Sequence, residues 1–262
     1  MADRIRPAPS APGVERLEAH LHGRPFAPHR HDTYAIGITL AGVQSFRFRG
    51  ETWHCLPGQA HILHPDELHD GRAGTEAGFA YRIAYLDPAL VQRALGGRPL
   101  PFVAQPVVDG AGLRAAAALW DLETTVDEAA RVDLIVAAAD LLVVAAGGDL
   151  PTGHLDLPAL ERVRARIAAD PAGEHPLAAL EREAGLTRWT LARQFRAAFG
   201  TSPSRYRTLR RLDAARRLVA AGAGLAEAAT ATGFADQSHM TRQWKRAWGL
   251  TPARWAAALA AE

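Results

Sequence analysis

Two stretches in the C-terminal part of this 262-residue chain are written to one plan, and this repeat limits the possible folds more than any other feature. "LAALEREAGL" from Leu177 and "LAEAATATGF" from Leu225 match at an offset of 48, with Gly185 and Gly233 in the same place. After one extra residue in the second copy the match resumes at an offset of 49. Leu191, Arg193, Gln194, Phe195, Phe199, Gly200, Pro203 and Tyr206 then align with Met240, Arg242, Gln243, Trp244, Trp248, Gly249, Pro252 and Trp255. Each copy reads as a short apolar helix, a glycine that permits a left-handed turn, and a second helix stopped by another glycine. In the second helices a spacing of four puts Leu191, Phe195 and Phe199, or Met240, Trp244 and Trp248, on one inward stripe. Trp189, Arg193 and Arg196, or Ser238, Arg242 and Lys245, fall on the opposite face.

This is the pattern of a helix-turn-helix, in which the second helix enters the DNA major groove and flanking groups hold phosphates. One such unit alone would also suit a charged helical hairpin without function; the paired match favours reading of double-stranded DNA. Between the copies, "SPSRYRTLRRLDAARRLVAAG" starts at Pro203 and meets no breaker before Gly222, which predicts a long helix holding two readers apart. Readers in successive major grooves on one DNA face need a spacing of about 34 Å. Arg210, Arg211, Arg216 and Arg217 of this helix are expected to face partly phosphate and partly solvent.

Charge divides along the same line. Residues 1–150 hold 13 Lys+Arg against 18 Asp+Glu, net −5, and residues 151–262 hold 17 against 10, net +7. A basic C-terminal module suits a polyanionic partner. Cys55 is the only cysteine, which excludes an intrachain disulfide and a cysteine-rich zinc site and fits a reducing, cytoplasmic setting. The N-terminus has no signal-peptide pattern, and the most apolar run, "LIVAAADLLVVAAGG", is interrupted by Asp140 and too short to span a bilayer.

The first half is written differently. "TYAIGITL", "QSFRFRG", "TWHCL" and "FAYRIAYL" are short, β-branched or aromatic, and separated by turns such as "LPGQ", which predicts a small sandwich or barrel. Alanine-rich helices are expected at roughly Leu113–Thr125 and Ala129–Ala146. Eight of the 11 histidines fall between His20 and His69. In "PHRHDTYAIGITLAGVQSF", His29 and His31 alternate and so face one side of a strand; "LPGQAHILHPDELHDG" supplies His61, His64 and His69. Convergent imidazoles of this kind can hold a divalent metal, hydrogen-bond an organic effector, or serve only the core. Arg47, Trp53 and Tyr81 are further candidates to line the cavity, and Cys55 is expected to be a packed strand residue.

From about Leu160 to Trp255 these residues resemble the DNA-binding domain of AraC/XylS-type transcription regulators. The most specific part is "LAEAATATGFADQSHMTRQWKRAWGLTPARW", with its Gly-Phe turn and its Gly-x-x-Pro after the second helix. Met240, Trp244 and Ala229 depart from the residues usual in the family. The resemblance implies seven helices, two helix-turn-helix motifs joined by a long helix, and control of transcription, with RNA polymerase as a partner if the protein activates. By position, Trp189 and Arg193 in the first unit and Gln237, Ser238 and Arg242 in the second match base-contacting places, and Arg188, Thr190, Arg196, Thr241 and Lys245 complete the expected DNA face. Ala192 stands where a polar reader can occur, so the first unit is expected to read fewer bases.

The first half resembles the cupin-like sensor domain of many such regulators. His29, His31, Arg47, His61, His64 and His69 are therefore candidates for effector binding. In metal-binding cupins a histidine pair is joined by a glutamate and a later histidine; His69 fits the later place, while "TYAIG" lacks the glutamate. His29, His31 and His69 are accordingly the candidate metal ligands. The expectation is a two-domain regulator: an arm over residues 1–13, an all-β, cupin-like sensor and dimerisation domain with appended helices over 14–150, a linker over 151–157, and an all-α DNA-binding domain over 158–262. The apolar Leu134, Val136, Leu141, Leu142 and Val144 are candidates for a homodimer contact, and the Pro-rich arm is a candidate moving part. The competing reading is a metal-dependent cupin enzyme with an accessory helical domain; no catalytic triad or carboxylate pair stands out to support it.

Overall fold

The computed structural model describes residues 3–23, 26–109, 111–148 and 151–259. Met1 and Ala2 of the expected arm, residues 149–150 before the expected linker, and 260–262 at the end of the DNA-binding domain lie outside them. The described N-terminal half contains β1 (Arg4–Pro7), β2 (Val14–Leu21), β3 (Phe26–His29), β4 (Tyr34–Gly42), β5 (Gln44–Phe48), β6 (Glu51–Cys55), β7 (Ala60–Leu63), β8 (His69–Ala73), β9 (Phe79–Leu86), helix α1 (Pro88–Ala94), β10 (Val107–Val108), α2 (Ala111–Ala115) and α3 (Glu128–Ala145). Sheet order is β1-β2-β9-β4-β7-β10 in one layer and β3-β8-β5-β6 in the other. The described pairs in both layers are antiparallel.

The six-stranded sheet is covered on both faces, which is why β9, "FAYRIAYL", is apolar at nearly every position. Its Phe79, Tyr81 and Ile83 join Leu21, Ala35, Phe46, Phe48, Cys55 and Leu63 in the space between the sheets. Its Ala84 and Leu86 join Tyr34, Ile36 and Ile62 on the outer face, beneath Val91 of α1 and Leu134, Ile135, Leu141 and Leu142 of α3. Each such apolar side chain contributes about 1.5–3 kcal/mol when buried.

Two expectations for this half change. Residues 4–7 of the arm form the edge strand β1, in register from Arg4↔His20 to Pro7↔Leu17. The helix expected over Leu113–Thr125 breaks into α2 and a 3-10 turn at Ala117–Trp120. Arg16 supplies the reason why the helix does not continue past Trp120. Its guanidinium, nearly fully buried, donates to the carbonyls of Asp121 (2.5 Å), Thr124 (2.8 Å) and Pro9 (3.1 Å), so the chain there stays open to present carbonyls that a helix would have used.

Residues 151–156 carry no regular element. Seven helices then follow among the described residues: α4 (Leu157–Ala169), α5 (Leu177–Ala184), α6 (Arg188–Phe199), α7 (Pro203–Ala220), α8 (Leu225–Ala231), α9 (Gln237–Trp248) and α10 (Pro252–Leu259). They build two small cores. Leu160, Val163 and Ile167 of α4 pack with Leu180, Leu191, Phe195 and Phe199. Leu209, Leu212 and Ala215 pack with Ala228, Phe234, Met240 and Trp244. The long helix α7 belongs to both, placing Tyr206 in the first and Leu209 onward in the second.

Candidate nucleic-acid interface and histidine pocket

The repeat gives two reading helices, α6 and α9, with the same local construction. Gly185 (φ +68°) and Gly233 (φ +79°) take the left-handed turn before each. Thr187 and Asp236 cap them, accepting from the amides of Thr190 and His239. The inward stripe packs as expected, buried except for the half-buried Trp248: Phe195 meets Phe199 at 4.7 Å and Trp244 meets Trp248 at 4.6 Å between ring centroids, both edge-on. Outward, Arg193 and Arg196 are exposed and Trp189 is 79% exposed on α6. Gln237, Ser238, Arg242 and Lys245 are exposed on α9, and Thr190 and Thr241 are half-buried. Arg188 is exposed but already engaged: its amide and guanidinium bond the Glu181 carboxylate at 2.8–3.3 Å.

The arginines of α7 depart from expectation. Arg210 donates to Asp32 at 2.6 Å and lies 3.0 Å from Asp213; burial weighs against its charge, but the two carboxylates outweigh burial and raise its pKa. Arg216 forms a two-pronged bond with Glu15 at 2.9 and 3.1 Å. Arg211 donates to the carbonyls of Pro171 and Ala172 at 2.6 and 2.7 Å. Of the four arginines expected to face phosphate or solvent, Arg217 is the exposed one. Asp32 and Glu15 belong to the sensor half, so this helix is turned toward the barrel. The signal in sequence was the acidic first half, whose charge α7 partly neutralises.

Inside the barrel, His29, His31 and His69 come together, with one nitrogen of each ring within 4.8 Å of the others. Each ring is oriented by a backbone carbonyl two residues away in its own segment: Nδ1 lies 2.9 Å from the carbonyl of Ala27, Thr33 and Glu67 respectively. A carbonyl only accepts, so the proton sits on Nδ1 and the lone pair is left on Nε2. Burial lowers the pKa of His29 to about 4; burial and then the neighbouring His29 lower that of His31 to about 3. His69 is pushed well down by burial, then by His29 and His31. All three are neutral at pH 7 and able to ligate. Backbone-oriented, neutral imidazoles are what a divalent transition ion requires, so the residues fit such an ion.

His61 joins the same interior. It is 0% exposed, neither ring nitrogen has a hydrogen-bond partner, and its ring lies over Gly37, where a Cβ would fall 2.3 Å from Cε1. Tyr81 is buried nearby, 6.2 Å from His61 between centroids, and Trp53 is half-buried against the barrel core. Tyr85, not anticipated, stands edge-on to His31 at 5.5 Å; its place on β9, alternating with Tyr81 and Ile83, was the available signal.

Two candidates leave the pocket. His64 sits on the outer side of the sheet, where its Nε2 accepts from the Val103 amide at 3.1 Å beside Tyr34 and Phe102. His61 and His64 are three residues apart, an odd spacing that alternation along a strand assigns to opposite faces, and β7 ends between them at Leu63. Arg47 is exposed, since β5 turns Phe46 and Phe48 inward and Arg47 out. Cys55 is buried as a packed strand residue, its thiol 3.4 Å from the Gln59 carbonyl and its pKa raised by burial.

Residues 11–139 match the family described as AraC-like ligand binding domain, and residues 180–258 match the family described as helix-turn-helix domain. The chain is 26% identical over 253 residues to YbfI of Bacillus subtilis (strain 168), described as an uncharacterized HTH-type transcriptional regulator, covering 86% of this chain and 88% of that protein. Its fold is similar to that of ToxT from Vibrio cholerae, with a TM-score of 0.66 at 10% identity over 94% of this chain and 98% of ToxT. A ToxT structure described as bound to an unsaturated fatty acid gives a TM-score of 0.61 at 12% identity, covering 97% of this chain and 94% of that one.

Proposed function

This chain belongs to the AraC family of transcription regulators, and we propose that its two exposed reading helices bind one extended DNA site under the control of the histidine pocket. The observation that carries this reading is the matched pair of exposed faces: Trp189, Arg193 and Arg196 on α6, and Gln237, Ser238, Arg242 and Lys245 on α9. Joined rigidly through α7, they read an asymmetric sequence longer than one half-site. The target places the protein in the cytoplasm, where a reduced Cys55 also belongs, and RNA polymerase becomes a partner if the protein activates.

His29, His31 and His69 hold a divalent transition ion in this reading. The ion supplies a Lewis-acidic centre that can take an anionic oxygen of an effector. The fatty acid of the ToxT structure makes an organic carboxylate a natural class to try. Membership of a regulator family favours sensing over catalysis at this pocket. A pair of chains, joined through α3, is the proposed working unit.

Selection of bound duplexes from a random pool by the full-length protein tests the DNA reading. The expected result is one recurrent sequence whose affinity falls steeply with salt, because each neutralised phosphate releases counterion. Absence of any enriched sequence overturns it. For the pocket, cobalt titration should give one ion per chain in the wild type and at least about tenfold weaker binding in His31→Ala, the scale on which lost metal contacts register.

A further inference from the structure

Both reading helices end on the frame of the histidine pocket, and they do so through the equivalent residue of the repeat. Gly249, the left-handed cap of α9 (φ +70°), lies against β3: a Cβ there would fall 2.8 Å from the Ala27 carbonyl oxygen and 2.8 Å from His29 Nδ1. The Ala27 amide donates to the Gly249 carbonyl (3.2 Å) and the Arg30 amide to the Arg246 carbonyl (2.8 Å). Carbonyls at the end of α9, which have no partner within the helix, are thus taken by the segment that carries His29. Gly200, the cap of α6 (φ +72°), lies against the opposite segment, where a Cβ would fall 2.5 Å from Pro65 Cβ. Beside it Thr201 donates to the Asp66 carboxylate at 3.2 Å, and the Arg205 guanidinium lies 3.6 Å from it.

The two seats are themselves joined at the pocket. The Asp66 amide donates to the His31 carbonyl at 2.7 Å, and the Glu67 carbonyl orients His69. Residues 27–32 therefore carry two of the histidines and the seat of α9, and residues 65–69 carry the third histidine and the seat of α6. The geometry points to a direct mechanical link, in which occupancy of the His29–His31–His69 pocket sets the positions of the two glycine caps and hence the placement of one reading helix relative to the other. This rests on the reading that the pocket takes a divalent ion. An ion gathering the three imidazoles constrains both segments at once, and it alters DNA binding by the difference in its affinity for the two arrangements. The coupling is reciprocal: bound duplex must change ion affinity by the same factor.

The test uses the full chain, a duplex selected from a random pool, and Co²⁺, whose visible absorption reports its own binding. Co²⁺ is expected to change duplex affinity by about fivefold or more, the lower end of ordinary coupling, with an equal change in Co²⁺ affinity when duplex is present. Exchange of the Ala27 and Arg30 amides should slow with Co²⁺ bound. Asp66→Asn, which adds no volume and touches none of the three imidazoles, should bind Co²⁺ as the wild type does while the coupling factor falls toward one; Gly249→Ala, which drives a methyl at the Ala27 carbonyl and at His29 Nδ1, should disturb duplex affinity and Co²⁺ affinity together. If Co²⁺ binds and duplex affinity moves less than about twofold, the link is overturned and the ion site stands; if Co²⁺ fails to bind, both fall. Should Gly249→Ala not fold, full coupling retained in Asp66→Asn overturns the route.

Discussion

Arg193 and Arg242 hold equivalent places in the two copies of the repeat, and both are exposed on the outer faces of their helices. Replacing either by alanine should cost about 1–3 kcal/mol on the selected duplex and relax the base preference at a separate position for each, as loss of a bidentate base contact does. Arg217→Ala should weaken selected and random duplexes alike; equal losses for Arg193→Ala would make it a phosphate contact instead. His64 gives a pH test away from the pocket. Burial holds its pKa near 4 in the folded chain, against an ordinary value of 6.5. Between those values the unfolded chain binds the extra proton, so the contribution of His64 to stability is complete above about pH 6.5 and is lost as pH falls toward 4, at up to about 1.4 kcal/mol per pH unit. Chemical denaturation at pH 7.5, 6 and 5 should show a shallower decline for His64→Gln, which keeps an acceptor for the Val103 amide; an unchanged slope would remove His64 as the cause. At this scale the pair His29 and His31 was legible from its close spacing, although β3 ends at His29 and His31 lies beyond it, and His69 was legible from the resemblance. His64 was grouped with them on nearness in sequence, whereas its odd spacing of three from His61 assigns it to the other face of the sheet.

Among elements, α3 shows how one sequence pattern serves two ends. Leu134, Leu141 and Leu142 lie in the core over the sheet, so only part of the apolar surface expected for a dimer contact is free. Val132, Val136 and Val144 remain exposed on the other side, Val144 by 64%. If this stripe joins two chains, Val136→Glu should convert a sedimenting dimer to monomer without loss of secondary structure. A wild-type chain that is monomeric at tens of micromolar would dispose of the contact. The helix expected at Ala129–Ala146 and the long one from Pro203 were legible because caps and uninterrupted periodicity are local. The stop after Trp120 was not, since it goes with Arg16, a charge buried from a strand a hundred residues away. A central guanidinium that needs carbonyls leaves no mark on the segment that provides them.

For the whole molecule, the charge division between the halves proved to have two uses. Asp32, Glu15, Asp66 and Asp87 of the acidic half take Arg210, Arg216, Arg205 and Arg164 of the basic half, so part of the +7 is spent within the chain and does not await phosphate. That share was invisible in a count of charges, because exposure, not number, decides which cations remain for DNA. The arm takes part in the same closure: β1 pairs with β2, and Asp3 bonds Arg254 at 3.2 Å. Deleting residues 2–12 should leave the core folded, duplex affinity near normal and the response to Co²⁺ as large as in the full chain, because residues 27–32 and 65–69 carry the link; a lost response would give the arm a part in signalling. The lone, buried Cys55 makes these motions open to direct measurement. Its thiol should react slowly with maleimide in the folded chain and fully in denaturant, so cysteines introduced at the exposed positions Trp189 and Lys245 would be the thiols that accept a pair of spin or fluorescent labels, turning the spacing of the two reading helices into a distance read in solution.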